Sequence, residues 1–355
     1  MIIYKEQYQA VRFPQDEQKH DHIIEWWYFN GNLQAKEGRS FSYMNTLFAT
    51  KPKQVKIPFL SKIPLKTLFF SHHLLTDNQA KTFIHKVNPL CLLDSNSFSK
   101  PLLWAHYDNA CLIEETSLYN YHIVNEVVDL YLKSSKQPLL LNGSGFLDLQ
   151  VKTTYYYSLT HLETTGLIKI NGHWIEVKGL SWMDHQWAQA PLIRGDKWTW
   201  FSIQLNNGDD LVCFVYGDEI KTYHASLMTK SGQTKFTDKV FFKPTAIKHL
   251  SKETGSEYQL GYDIDLPELN LQLNVKPFND KQEMIFGSIN YWEGGIKVVG
   301  LLNKEKISGQ GFMEIVGTPM KKNVLRVYLN KYQQIMRQPL KSLTRELAKK
   351  MKAYQ

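Results

Sequence analysis

Apolar and polar residues alternate with a period of two in most of the patterned segments of this chain, the spacing of strands that bury at least one face. The first strong case is Glu25-Trp26-Trp27-Tyr28-Phe29-Asn30-Gly31-Asn32-Leu33. Trp26, Tyr28 and Asn30 share one face, and Trp27 and Phe29 the other. Both faces are partly apolar, as in a wall with a core on one side and a ligand or a second sheet on the other. Strand patterns continue at 41–50, 67–76, 82–87, 102–107, 110–116, 122–133, 144–151 and 154–163. Residues 166–170 and 173–177 flank Asn171-Gly172, the strongest short-range hairpin signal. The stretch 188–197 has no period and includes Pro191 and Gly195. After it, 198–205 and 211–216 flank Asn206-Asn207-Gly208 as another hairpin, and strands follow at 222–229, 239–242, 246–250, 258–264, 269–276, 284–292, 295–302 and 311–316. Many short strands parted by Pro, Gly and Asn predict an all-β chain of barrels or sandwiches. The break at 188–197 predicts two units, 1–187 and 188–320.

Helical periodicity is confined to the end of the chain. Residues 323–337 and 340–353 read as two helices broken at Pro339. Leu340, Leu343, Leu347 and Met351 form one apolar face, and Lys341, Arg345, Lys349, Lys350 and Lys352 take up much of the rest. The charge balance makes this tail, 321–355, distinct. Lys and Arg exceed Asp and Glu by 42 − 34 = +8 over the chain, and the tail alone carries ten bases against Glu346. The tail is thus +9 and the remainder −1. No nucleic-acid-binding motif accompanies the charge, which disfavours that partner. A second basic, apolar stretch interrupts the strands at 51–66, with Lys51, Lys53, Lys56, Lys62, Lys66 and three prolines but no acid. Tail and loop together predict peripheral contact with an anionic membrane surface. The alternative is that the leucines dock on the β body, the lysines are merely solvated, and the loop is a disordered insertion. Vesicle flotation checks this: full-length protein should bind anionic vesicles at low salt and detach at high salt, and a chain ending at Pro319 should not bind. Failure of both forms to bind at low salt removes the membrane reading.

Aromatic residues make up 13% of the chain, including 9 Trp. This fits strands, which favour rings, and equally fits a large apolar ligand site. Cys91, Cys111 and Cys213 are few and widely spaced, which argues against a disulfide framework or a cysteine zinc site. No signal-peptide core opens the chain and no run of 18 apolar residues occurs. The expectation is a cytoplasmic, reduced protein, allowing for the membrane-peripheral contact above.

The chemistry concentrates in Gly179-Leu180-Ser181-Trp182-Met183-Asp184-His185-Gln186-Trp187. Following directly on the hairpin, Trp182–Trp187 is expected to leave the end of a strand into a connection. Asp184 and His185 are candidates for proton chemistry, because a carboxyl walled by aromatics loses hydration and stays protonated nearer neutrality. The alternative is that both bond the backbone and fix the connection. His72-His73 sit next to each other in a strand and point to opposite faces, so they cannot share a metal. No metal and no cofactor is expected; neither a Gly-rich phosphate loop nor a Gly-x-Ser-x-Gly elbow is present.

These motifs resemble the lipocalin-like family of carotenoid 1,2-hydratase (hydroxyneurosporene synthase), AttH-like proteins and kievitone hydratase, whose distant fold fungal decalin-forming cyclases share. The resemblance runs from Glu25 to about Pro319. It rests on Glu25-Trp26-Trp27-Tyr28 with Gly31, Phe70-Ser71-His72 with Asp77, Leu141-Asn142-Gly143, Tyr155-Tyr156-Tyr157-Ser158, Gly179 to Trp187, Trp198-Thr199-Trp200-Phe201, Tyr291-Trp292-Glu293-Gly294 and Gly309 to Glu314. It implies tandem lipocalin-like β-barrels, with the short helical tail beyond them, and an apolar pocket near their interface. Trp26, Tyr28, His72, Trp182, Trp187, Trp200, Tyr291 and Glu293 are expected to line that pocket. The hydratases' proposed acid cluster, His-x-Trp followed by Tyr-x-Asp, corresponds to His185-Gln186-Trp187 and Tyr216-Gly217-Asp218. Hydrating an isolated alkene requires a strong acid, so Asp184 or Asp218 would supply the proton, tryptophan rings would face the cation, and His185 or Tyr216 would orient water. Glu25 and Glu293, each beside a Trp, are either supporting acids or ion-paired wall residues. Two functions follow: a cofactor-independent hydratase or cyclase acting on a polyene, terpenoid or polyketide-like molecule, or a non-catalytic carrier of an apolar ligand with Asp184 and His185 bonded into its wall.

Overall fold

The computed structural model describes residues 10–54, 66–107, 111–190, 196–286 and 289–322. The expected tail helices, and most of the 51–66 loop, lie outside the described residues. Among these residues the only helical elements are short 3-10 turns, and no helix is long and apolar enough to cross a membrane.

The first sheet is built from β1 (Ile24–Ala35), β2 (Ser40–Thr50), β3 (Leu68–Asp77), β4 (Thr82–Asn88), β5 (Trp104–Tyr107), β6 (Cys111–Ser117), β7 (Asn120–Asn125), β8 (Val128–Ser134), β9 (Leu139–Leu140), β10 (Phe146–Asp148), β11 (Thr153–Ile170) and β12 (His173–Ala188). Its order is β4-β3-β2-β1-β12-β11-β8-β7-β6-β5, with β9 and β10 pairing on β11. The remaining strands are β13 (Trp198–Leu205), β14 (Asp210–Tyr216), β15 (Thr222–Met228), β16 (Thr234–Thr237), β17 (Phe241–Pro244), β18 (Lys248–Leu250), β19 (Glu257–Gln259), β20 (Tyr262–Leu266), β21 (Leu271–Pro277), β22 (Glu283–Phe286), β23 (Ile289–Leu302) and β24 (Glu305–Val316). They form a second sheet, β16-β15-β14-β13-β24-β23-β21-β20-β17 with β22 on β23, and a separate β18-β19 pair. Both large sheets are antiparallel and curl around their own apolar cores in the lipocalin-like manner.

The strand pattern read from the sequence holds in outline, with local differences. The expected strand at 122–133 is two strands, because the Asn125 side chain accepts the backbone N–H groups of Val127 and Val128 and turns the chain there. The expected strands at 284–292 and 295–302 are redivided into β22 and one long β23. The largest difference is at the hairpin. Its arms are not short: β11 runs 18 residues and β12 runs 16, so Trp182–Trp187 lie within a strand rather than in a connection. Gly179 permits this continuation. A Cβ there would lie 2.1 Å from the Asn32 carbonyl oxygen, so only glycine lets β1 close against β12.

Three apolar cores result. One fills the first curled sheet with Trp27, Phe29, Tyr157, Met183 and Trp187, and another fills the second with Phe201, Leu211, Trp292 and Met313. The third lies between the outer faces of the two sheets: Tyr28, Tyr156 and Trp182 from one, Trp200, Phe214, Tyr291 and Phe312 from the other. The double-sided pattern of Trp26–Phe29 is explained by this third core. Polar bonds fix its register. Asn32 Nδ2 donates to Gly311 O at 3.0 Å, and Gln204 Nε2 donates to Thr160 O and Ser181 O at 2.8 and 3.0 Å. Lys136 pairs with the fully buried Asp210 across the same seam at 2.6 Å.

Candidate active site between the two sheets

The site grows from the alternation of β1 and β12. These strands pair with Tyr28 opposite Asp184 and Asn30 opposite Trp182. With a period of two, Trp182 and Asp184 face the second sheet, whereas Met183, His185 and Trp187 face the first core. From the other side, β13, β24 and β23 bring Trp200 opposite Glu314, and Glu314 opposite Glu293.

Asp184 is the centre of this arrangement. Its Oδ1 accepts from Trp182 Nε1 at 2.6 Å and from Ser158 Oγ at 2.5 Å, and its Oδ2 accepts from the Tyr156 hydroxyl at 2.7 Å. Tyr156 Oη accepts in turn from Trp200 Nε1 at 2.9 Å, across the seam. Burial pushes the Asp184 pKa up to about 7, against the opposing pull of its three donors. Two further carboxyls lie close by. Burial, and to a lesser extent the Asp184 charge, raise Glu314 to about 7 although Trp198 hydrogen-bonds it. Burial and the facing Glu314 hold Glu293 well above the usual carboxylate range. Tyr28 faces the Glu293 carboxyl, yet neither the Tyr28 hydroxyl nor Glu293 Oε2 is in a well-formed hydrogen bond, although both are shut off from solvent. To one side, His72 Nδ1 is bonded to the Tyr291 hydroxyl, and burial lowers His72 to about 3, so its ring is neutral.

The structure therefore brings together Asp184, Tyr28, Trp182, Trp200 and Glu293, with His72 and Tyr291 beside them. Trp26 packs against the same inter-sheet core. Other expected site residues fall elsewhere. Tyr216 puts its ring in the seam but donates its hydroxyl to Asp196 at 2.6 Å. Asp218 is exposed and paired with Lys197 at 2.7 Å, because Gly217 turns the chain out of β14 immediately before it. His185 and Trp187 belong to the first core. His185 Nε2 meets Glu25 Oε1 at 2.9 Å, and Trp187 stacks on His20 at 4.0 Å. Glu25, left open as a supporting acid or a paired wall residue, is held by two histidines, His20 and His185.

Comparison with known proteins fits this geometry. The AttH-like family profile matches residues 4–318. The chain belongs to the AttH-like family. A solved structure assigned to AttH from Nitrosomonas europaea superposes with a TM-score of 0.75 at 25% identity, covering 87% of this chain and 98% of that one. Kievitone hydratase from Nectria haematococca gives 0.66 at 13% identity, over 86% and 93%. CghA gives 0.52 at 11% identity, over 85% and 90%. At these lower identities the likeness is one of fold. No curated protein sequence matches the AttH-like chain.

Sequence reasoning did not single out Tyr156, Ser158, Trp198 or Glu314 as site residues, although each stands in or beside a family motif. Strand alternation carried the signal for Tyr156 and Ser158, which lie on the same face of β11, with Ser158 opposite Asp184. Nothing local reveals Glu314, because its neighbours Trp200 and Glu293 reach it only through pairing of distant strands.

Proposed function

We propose that this AttH-like protein is a cofactor-independent enzyme that protonates an apolar unsaturated substrate, of polyene, terpenoid or polyketide-like class, between its two sheets, and completes a hydration or a ring closure. The observation that carries the reading is a carboxyl, Asp184, raised to about 7 by burial beside the rings of Trp182, Trp200 and Tyr28. An acid held protonated near neutrality in an apolar wall is the arrangement that lets a carboxylic acid deliver a proton to a weak base. The proton leaves Asp184 directly, or passes through Tyr156, whose hydroxyl touches both Asp184 and Trp200 Nε1.

Protonating an alkene carbon leaves a carbocation. Aromatic faces stabilise such a cation by roughly 0.5–2 kcal/mol per ring. Glu293 and Glu314 face each other and cannot both ionise cheaply, so the pair holds a proton and one charge readily. The ionised member balances the cation and accepts the proton that an adding water releases, and the net reaction is alkene plus water to alcohol. In a ring closure the same carboxylate removes a proton from carbon. A fold shared with a hydratase, kievitone hydratase, accords with this chemistry.

The carrier reading also has an observation in its favour: Asp184 accepts three wall hydrogen bonds, as a purely structural carboxylate would. Incubation of the full-length protein with polyene and terpenoid extracts in isotopically labelled water separates the two. The enzyme yields products carrying solvent deuterium or oxygen by mass spectrometry. A ligand recovered unchanged and unlabelled supports the carrier and removes the proposed activity.

A further inference from the structure

The back face of β12 holds a second cluster that the inter-sheet chemistry does not use. Glu25 pairs with Trp187, and Trp27 with His185, so Glu25 and His185 are diagonal neighbours on the face turned into the first core. The chain just before β1 folds His20 onto the same carboxylate. His20 Nδ1 and His185 Nε2 both meet Glu25 Oε1, at 2.7 and 2.9 Å, and one donor atom from each of the three residues lies within 4.8 Å of the others.

We propose that His20, Glu25 and His185 form a binding site for a divalent transition-metal ion, zinc being the probe of choice. Two imidazoles and a carboxylate are a common donor set for such ions. Bonds of 2.0–2.1 Å at tetrahedral angles place donor atoms about 3.3 Å apart, so small side-chain shifts around Glu25 suffice. The outer partners are already in position. Asp16 Oδ1 lies 3.1 Å from His20 Nε2, and the Tyr157 hydroxyl lies 3.1 Å from His185 Nδ1. Metal-bound histidines ordinarily bond carboxylates or other polar groups through the second ring nitrogen, which fixes tautomer and ring plane. The ring planes are held as well, with His20 stacked on Trp187 at 9° and His185 on Trp27 at 25°. His185 is fully buried, but the His20 side chain is 17% exposed, so the ion enters from that side and water completes its shell. The bound ion would clip the segment before β1 to β12 across the end of the first curled sheet.

Geometry separates this site from a purely hydrogen-bonded triad, in which Glu25 Oε1 serves only as acceptor. On binding, the ion takes the place of the hydrogens between Glu25 and the two imidazoles, and each ring keeps a hydrogen on its outer nitrogen, towards Asp16 for His20 and towards Tyr157 for His185.

The test uses full-length protein stripped with a chelator and titrated with Zn²⁺ against a chromophoric competitor in weak buffer. The expected result is one equivalent bound, and a visible absorption band with Co²⁺. His20→Ala, a change at a partly exposed residue, should abolish stoichiometric uptake. Asp16→Asn should weaken it about 10–100-fold. Replacing the exposed first residue of β12, His173→Ala, should leave it unchanged. Absence of stoichiometric binding by the wild-type protein, unaltered affinity in His20→Ala, or loss of binding in His173→Ala overturns the proposal.

Discussion

Asp184→Asn is expected to lower turnover by about 10²–10⁴-fold, the usual contribution of a positioned proton donor, while the protein stays folded. Asparagine preserves the volume. Its carbonyl oxygen still accepts from Trp182 and Ser158, and its amide donates to the Tyr156 oxygen, so of the three bonds only the one donated by Tyr156 is reversed. What is lost is the transferable proton. A structural carboxyl gives the opposite pattern, with turnover retained and a lower melting temperature. Turnover and melting temperature measured on the same preparation separate the outcomes, and undiminished turnover eliminates Asp184 as the acid. Infrared difference spectra supply a check without substrate: a protonated-carboxyl band present near pH 6 should weaken on passing above pH 7, and part of it should vanish in Asp184→Asn.

Stability should fall as the pH rises from about 6.5 to 8, by on the order of 3 kcal/mol. Asp184 and Glu314 are raised to about 7 and Glu17 to about 8, in each case chiefly by burial. Through this window the unfolded carboxyls are already ionised, so the folded state binds more protons than the unfolded one. Stability then decreases with pH by about 1.4 kcal/mol per unit for each fully differential proton, fading as each folded pKa is passed. His20 acts in the same direction. It is raised by its bonds to Asp16 and Glu25 against the cost of burial, so its contribution is lost as it deprotonates. Two buried histidines oppose this trend below about pH 6.5. Burial holds His72 near 3 and His224 near 4, so there the unfolded state binds two protons that the folded state does not, against the three held by the raised carboxyls. The fall with pH is therefore expected to be shallow between about 5 and 6.5 and steeper above, in thermal or urea unfolding. Asp184→Asn should flatten the alkaline side, and a melting temperature that rises from pH 6.5 to 8 contradicts the buried-acid account.

Much of this protein was legible from local pattern. Alternation gives the strands, and Asn171-Gly172 gives the hairpin that becomes the centre of the first sheet. The apolar character of both faces of Trp26–Phe29 marks a strand lying between two cores. The carboxyl among tryptophans was visible in Trp182-Met183-Asp184, because hydrophobicity and charge are properties of the residues themselves. The misreading of Trp182–Trp187 as a connection is instructive. Placed in a strand, Asp184 and His185 must part to opposite faces, which is the argument that separates His72 from His73. It could not be applied before the strand was known to continue, and that depends on β1 packing against Gly179.

The tertiary structure alone decided which faces meet. Glu314 joins Asp184 and Glu293 only because β24 pairs with both β13 and β23 and the two curled sheets are pressed outer face to outer face. His20 reaches Glu25 and His185 because the segment before β1 folds back over the end of the sheet, a contact with no periodic signature. Asp218 leaves the site because Gly217 breaks away from β14. Sequence pattern specifies which side of a strand a residue occupies, since that depends on local backbone geometry. What faces that side depends on packing between strands far apart in the chain, and there the raised acidity of Asp184 and its neighbours is produced.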